Sequence, residues 1–412
     1  MNSDSKNKLV IIGAGAAGFF CAIQAAKQNP ELKIIILEKS NKVLSKVRIS
    51  GGGRCNVTHH CFDSNELSKK YPRGEKFLKK AFHWFNVNDT INWFKAQNVL
   101  LKTESDGRMF PATNSSQTII DCFLQLADQH NIEINLNQEV QNITKKDEEF
   151  TITLSNNSNI TADFICVAAG GYPKLNQFSW LQQLGHNIIS PVPSLFTFNL
   201  PKNAITSLMG ISIPEVNIKI SGTKFQNNGP LLITHWGFSG PAVLKLSAFA
   251  AINLAALNYQ FNIQINWVNK NFDTVKLFFD DLRNNKPKQK IINANSFNLP
   301  SRLWQYFLDL AQIKTEIIWA ELTAKQENNL INLLTNQQFI VSGKTTFKEE
   351  FVTCGGIDLN EVEVNTMQSK KINNLFFAGE VLNIDGITGG FNFQAAWTTA
   401  HIAAKTIAQK AL

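Results

Sequence analysis

Residues 8–18 read KLVIIGAGAAG, and residues 33–38 read KIIILE. An apolar run, LVII, leads into the pattern Gly13-x-Gly15-x-x-Gly18. The helix-like segment FFCAIQAAKQ follows, and a second apolar run closes on the acid Glu38. Each part has a physical task. Gly13 permits a tight strand-to-helix turn, Gly15 lets a pyrophosphate approach backbone amides, and Gly18 lets the helix lie close on the sheet. The helix N-terminus offers unpaired N–H groups and a positive dipole end to phosphates. Glu38, 20 residues beyond Gly18, is placed to accept hydrogen bonds from an adenosine ribose. The stretch predicts a Rossmann-type α/β unit that binds a dinucleotide.

A chain of 412 residues has room for two or three domains. The segment MNSDSKNK has no apolar signal region, and the longest soft apolar run, AFAAINLAAL at 248–257, is too short to span a bilayer. A cytoplasmic protein without a membrane partner is expected. The six cysteines are scattered, and no CxxC pair points to a metal site. The net charge of +8 suits anionic small ligands or nucleic acid, or reflects no specific partner. No dense basic run with interleaved aromatics occurs, so the expected partner is a small-molecule substrate, not a stably bound nucleic acid. A monomer or homodimer is expected.

Residues 62–130 have mainly helical spacing, as in AFHWFNVNDTINWFKAQ and DCFLQLADQHN. EEFTITLSNNSNITADFICVAAGG reads as a hairpin running into a buried strand. From Pro191 the texture becomes short alternating runs such as VNIKI and FNIQINW, interrupted by the helical SGPAVLKLSAFAA. Residues 272–335 then read as polar helices, and the α/β texture returns near 350 with LFFAGE. A nucleotide domain of residues 1–190 and 342–412 is therefore expected to be interrupted by an insert at 191–341.

Two further constellations carry chemistry. Ser50-Gly51-Gly52-Gly53-Arg54-Cys55-Asn56-Val57-Thr58 places three glycines where a backbone must press against a ring or phosphate. Arg54 suits phosphate oxygens, and Asn56 and Thr58 suit a ring edge. Five residues separate Cys55 from Cys61, one more than in disulfide reductases, so a catalytic disulfide is not expected. Near the C-terminus, Phe376-Phe377-Ala378-Gly379-Glu380 ends a strand at an acid. Asp385-Gly386-Ile387-Thr388-Gly389-Gly390-Phe391-Asn392-Phe393-Gln394 then opens a helix. Such an acid and helix dipole serve the ribityl chain and the reducible edge of a flavin. This selects FAD over NAD as the resident cofactor. No second GxGxxG occurs, so NAD(P)H is expected only as a transient electron donor.

GAGAAG, SGGGRCNVT, DGRMFP (106–111), THWGFSGPAVL (234–244) and GEVLNIDGITGGFNFQAAW (379–397) together resemble the BaiN-like family of bacterial NAD(P)/FAD-dependent oxidoreductases over nearly the whole chain. The resemblance implies a three-layer, glutathione-reductase-like FAD domain carrying a β-barrel (about 191–268) and a helical subdomain (about 269–341). It implies flavin contacts at Gly13, Gly15, Gly18, Glu38, the loop Gly51, Gly52, Gly53, Arg54, Cys55, Asn56, then Gly379, Glu380 and the turn Gly389, Gly390, Phe391, Asn392, Phe393. The expected set also takes in Ala14, Ala16 and Ala17, Lys39 beside Glu38, Val140, and Ala169 and Gly170 after the strand FICV. Asn383 departs from the aspartate more usual in the family.

In the insert, Thr234-His235-Trp236-Gly237-Phe238-Ser239 presents His235 as a candidate proton donor, with Ser239 as a second candidate catalytic residue. The alternative is a packed turn. The expected activity passes a hydride from NAD(P)H through the flavin to an organic acceptor, including an activated carbon–carbon double bond. The alternatives are a flavin-dependent RNA-modifying enzyme and a non-catalytic flavin-binding sensor. The pyrophosphate turn and Glu38 make a direct prediction. The purified protein should be yellow and release FAD, not FMN, on denaturation. Colourless protein that takes up no added FAD would refute it.

Overall fold

The computed structural model describes residues 7–295, 297–346 and 352–412. The chain divides into two compact units, residues 1–194 with 348–412 and residues 195–347.

The first unit is built on a five-stranded parallel sheet. Its spatial order is Leu375–Phe377, Phe164–Val167, Lys8–Ile12, Lys33–Leu37 and Glu133–Asn135. Leu9, Val10, Ile11, Ile165 and Cys166 are fully buried, as strands covered on both faces require. Helices Ala16–Gln28 and Phe391–Lys410 pack together; their many alanines allow close approach. A meander of strands Val140–Lys146, Glu149–Leu154 and Asn159–Ala162 adds a third layer. The FAD-type three-layer α/β architecture is thus present. Residues 62–130 hold four helices, the longest being Ser116–Gln129. They also hold strands Leu101–Thr103 and Arg108–Pro111, which pair with Thr58–His59.

The second unit has six strand segments in spatial order Gln337–Ser342, Gln260–Asn266, Ser212–Ile220, Gln226–Thr234, Gly237–Ser239 and Thr197–Asn199, with Lys344–Thr345 beyond. Gln337–Ser342 and Lys344–Thr345 are one run of chain bent at Gly343, whose φ is +97°. The run pairs with Gln260–Asn266 before the bend and with Thr197–Asn199 after it, which closes the sheet on itself. Helices Phe272–Asn285, Ser301–Leu310 and Ala324–Asn336 complete a shared core with Trp267, Trp304 and Trp319 buried in it.

Two boundaries differ from the sequence reading. Pro191 and Pro193 lie in strand Ile188–Pro193, which pairs with Thr353–Ile357 inside the first unit. A two-stranded ribbon with a bulge tolerates prolines. The expected helical stretch also ends early, because Gln337–Ser342 returns to the barrel.

His401 sits on the last helix with its ring stacked on Phe85 at 4.7 Å. Its Nδ1 is buried without a hydrogen-bond partner. Burial, helped by Lys405, pushes its pKa down to about 4. The folded protein therefore binds fewer protons than the unfolded chain between about pH 4 and the ordinary histidine value near 6.5. Stability should fall as pH drops through that window, by on the order of 3 kcal/mol from this group. His401→Gln should flatten the dependence of Tm on pH there. The flattening is partial, because burial also lowers the pKa of His186. An unchanged slope would refute the assignment.

Candidate functional site

The three glycines of the first turn separate into two roles. Gly13 has φ +112°, and a Cβ on it would stand 2.4 Å from the Ala168 carbonyl oxygen. A Cβ on Gly18 would stand 1.9 Å from the Gly13 carbonyl oxygen. Both are required by the protein's own packing. Gly15 is different: its φ is −91° and an added Cβ would meet nothing within 4 Å. The protein has no internal use for a glycine there; an approaching phosphate does. Ala16 and Ala17 form the first helical turn behind it.

Glu38 closes this end of the site. One carboxylate oxygen accepts from Ala14 N–H at 3.0 Å, the other from Ser40 N–H at 2.9 Å and Ser40 Oγ at 2.8 Å. Lys39 Nζ lies 5.0 Å from the Tyr172 ring centroid. Gln138 N–H donates to the Glu38 carbonyl at 2.8 Å, bringing the approach to Val140 alongside. Tyr172, with its hydroxyl pushed up to about 12 chiefly by burial, thus stands at the Glu38 end. Ala169 and Gly170 follow strand Phe164–Val167, and Gly170 has open space where a Cβ would be.

The triglycine loop follows a short helix. Ser50 is extended, and Gly51, Gly52 and Gly53 have φ of +59°, +69° and +81°. Gly52 and Gly53 face open space. Arg54 lies 4.0 Å above the Phe110 ring and pairs with Glu104 at 2.5 Å. Its guanidinium is therefore already neutralised by a carboxylate. Cys55 is fully buried, and burial pushes its thiol up to about 12, as for a packed structural cysteine. Asn56 and Thr58, expected at a ring edge, have side chains engaged within the protein. Asn56 accepts from Gly390 N–H at 3.0 Å and donates to the Thr58 and Met109 carbonyls. Thr58 Oγ donates to Gln394 at 2.6 Å. Both side chains are buried because they fasten this loop to the last helix.

The C-terminal turn is held from several directions. Gly379 N–H donates to Thr399 Oγ at 2.9 Å. Glu380 accepts from Thr353 N–H at 3.0 Å and pairs with Lys46 at 2.6 Å. Fully buried Asp385 is bound by both the Nε and NH2 groups of Arg73 and by the Ser194 hydroxyl. Burial raises its pKa despite the arginine. Asn392 bonds the backbone of Gly386 with both ends of its carboxamide, at 2.7 and 3.0 Å. Tyr71 Oη donates to the Phe391 carbonyl at 2.7 Å, and Phe393 stacks on Trp397. Gly389 has φ +129° and Gly390 +93°. Asn383 Oδ1 accepts from Gly355 N–H, a bond an aspartate would make equally.

Bonds between distant segments thus join the 50–58 loop to the 379–394 turn, and Gly379 packs close to Ala17 of the glycine turn. The open cradle over Gly15 and the two helix N-termini fit a dinucleotide. Gly13–Gly18 and Glu38 would hold the ADP half, and Gly379–Glu380 with Gly389–Phe393 the flavin half. Spacing in sequence did not reveal Lys46, Arg73 or His59. His59 stacks on Phe391 at 4.6 Å, with Nδ1 2.9 Å from the Gly389 carbonyl oxygen. Their partners lie over 300 residues away in the chain, and no local pattern marks such pairs. In the second unit, His235 is exposed between strands Gln226–Thr234 and Gly237–Ser239, edge-on to Trp236 at 4.2 Å. Ser239 is buried and paired with Leu232.

The family model for the HI0933-like protein Rossmann domain matches residues 7–406. The chain belongs to this family. It is 30% identical over 408 residues to a ribosomal RNA dihydrouridine synthase of Escherichia coli (strain K12), covering 97% of each chain. A Haemophilus influenzae protein of the same name is 29% identical over 426 residues, covering 100% of each. A 3-dehydro-bile acid delta(4,6)-reductase of Clostridium scindens is 22% identical over 413 residues, covering 98% of this chain and 100% of the relative, in keeping with the BaiN-like resemblance. Among solved structures, a 3-ketosteroid delta1-dehydrogenase from Sterolibacterium denitrificans shares the fold. Its TM-score is 0.53 at 12% identity, with 98% of this chain and 100% of that one covered. The family member therefore has the FAD-binding Rossmann fold of flavoprotein oxidoreductases.

The glycine roles predict opposite outcomes for two substitutions. Gly15→Val fills empty space at an ordinary φ. It should leave stability within about 0.5 kcal/mol of the parent while flavin content collapses. Gly18→Ala overlaps the Gly13 carbonyl and should cost about 1–3 kcal/mol or more. Full flavin occupancy in Gly15→Val would place the pyrophosphate elsewhere.

Proposed function

We propose that this protein is an FAD-dependent reductase that saturates the C5=C6 bond of a uridine in ribosomal RNA, with NAD(P)H as the electron donor. The observation that carries this reading is the end-to-end similarity, near 30%, to two ribosomal RNA dihydrouridine synthases. The chemistry agrees with the double-bond reduction expected from the sequence. Uracil C5=C6 is conjugated to the C4 carbonyl, as the double bonds of an oxo-steroid are to theirs. In both, a hydride adds to the carbon β to the carbonyl and a proton to the α carbon. For uridine the balance is NAD(P)H, one proton and uridine giving NAD(P)⁺ and dihydrouridine. FAD in the cradle supplies the two-electron carrier.

The chain's own residues bind and position. The Gly13–Gly18 turn and Glu38 anchor the adenosine diphosphate. Glu380, tethered by Lys46 and Thr353 N–H, is set for the ribityl hydroxyls. The N-terminus of helix Phe391–Lys410 directs positive potential at the edge where charge collects on reduction. His235 is our candidate for the proton donor to C5; buried Ser239 is the weaker of the two. The expected small-molecule acceptor survives as a second reading, favoured by the bile acid reductase relative.

The test incubates the holoprotein and NADPH or NADH with ribosomal RNA transcribed without modifications. Digestion and mass spectrometry then look for uridines that gain two hydrogens. Dihydrouridine at a defined position supports the proposal. Its absence, with turnover of an unsaturated 3-oxo bile acid instead, would replace it with the second reading. His235→Ala should lower the rate of uridine reduction about 100-fold, with flavin content and flavin bleaching by NAD(P)H unchanged.

A further inference from the structure

We propose that the outward face of the barrel strands in residues 195–347 is a docking surface for ribosomal RNA, built from carboxamides and lysine. The inference rests on the RNA reading above. Strand register sets the face. Asn217 stands opposite Asn228 on one neighbour and Asn266 on the other. Two residues along, Lys219 stands opposite Gln226 and Gln264, and Gln264 opposite Gln338. Because side chains alternate, these residues share one face. The other face is the core, with Val216, Ile218, Ile263 and Ile265 buried. Gln226, Asn228 and Gln338 are exposed. Neither row contains a carboxylate. Past Gln338 the surface continues into an open groove of about 470 Å³ lined by Lys202 and Asn203 and also by Pro201, Phe339 and exposed Ile340.

This composition selects among partners. A carboxamide donates and accepts at once, so it can bond phosphate oxygens, 2′-hydroxyls and base edges without the charge that phosphates would repel. A protein-binding face is expected to have an apolar or aromatic centre, and these two rows have none. The long-range field agrees. Residues 195–347 hold 14 Lys and Arg against 8 Asp and Glu, while the remainder holds 26 against 24. The excess charge that attracts a polyanion lies in this unit.

The test uses the full-length, FAD-loaded protein and protein-free ribosomal RNA, with affinity measured across a salt series. The triple variant Asn228→Asp, Gln264→Glu, Gln338→Glu is nearly isosteric. It also keeps the acceptor oxygen that Asn228 offers Asn217 at 2.5 Å. It should bind RNA at least ~10-fold more weakly, with flavin content and Tm unchanged. Lys202→Gln with Lys219→Gln should reduce the salt slope by about 2, near one unit for each phosphate that is no longer neutralised. If the parent binds and both variants bind equally well, this face is not the dock, while the RNA reading stands. If the parent does not bind RNA at all, the RNA reading fails and the dock with it. Retention of intact ribosomal subunits without binding of naked RNA would assign the face to a ribosomal protein and overturn the proposal.

Discussion

The contact of the Gly18 α-carbon with the Gly13 carbonyl is the constraint from which the first unit is organised. A Cβ there would have to occupy the same space as that oxygen, so helix Ala16–Gln28 lies as close to its strand as a backbone can. The proximity propagates. Gly13 in turn presses on Ala168, at the end of the neighbouring strand, and Gly379 leaves room for the Ala17 methyl. Three strand ends and two helix starts therefore meet at the carboxyl edge of the sheet. In a doubly wound sheet that edge is where a ligand can be reached by backbone amides alone.

A second layer of order makes that meeting point rigid. Gln394 is fully buried, and its carboxamide oxygen accepts from Thr58 at 2.6 Å and Thr90 at 2.9 Å, while its nitrogen donates to Thr398. Trp397 Nε1 donates to the Val57 carbonyl at 2.9 Å. Buried polar networks of this kind are costly when half-made and specifying when complete. Here three segments far apart in the chain complete it. The loop that carries the triglycine is thus fastened to the helix that would face the flavin. The flexibility that Gly51, Gly52 and Gly53 permit is confined to the loop itself.

The strand, glycine turn, helix, strand and Glu38 were legible because all their interactions are local: spacing along the chain is distance in space. The C-terminal glycine turn was legible for the same reason. Asn56, Thr58 and Arg54 were assigned to a ligand from residue type alone, and spacing gave no sign of their internal partners, Gly390, Gln394 and Glu104, which lie 50 or more residues away. Asp385 gave no hint of its burial, because Arg73, the group that compensates it, stands far from it in the chain. The prolines at 191 and 193 misled at the boundary, since they announce a break in strand texture but not which side of the break they belong to. The bend at Gly343 that closes the barrel also had no signal, because a single glycine in an alternating run reads equally as a bulge or a strand end.

The relatives differ in acceptor, an RNA base in two names and a bile acid in the third, yet one two-electron chemistry serves both. Adding a hydride to a double bond conjugated with a carbonyl requires a reduced flavin and a proton source, and it is indifferent to what else the acceptor carries. Discrimination must therefore come from outside the reacting atoms. A bile acid offers one negative charge and a rigid apolar body, which call for an apolar pocket. Ribosomal RNA offers a polyanionic backbone that requires a wide positive field and many hydrogen-bonding groups. In the proposed RNA reading the two requirements fall to different units. The sheet with the glycine turns is nearly neutral overall, as cofactor chemistry permits. The barrel unit carries the positive excess and an amide-covered face. Under the proposed RNA reading, that division matches what a polyanionic acceptor would require.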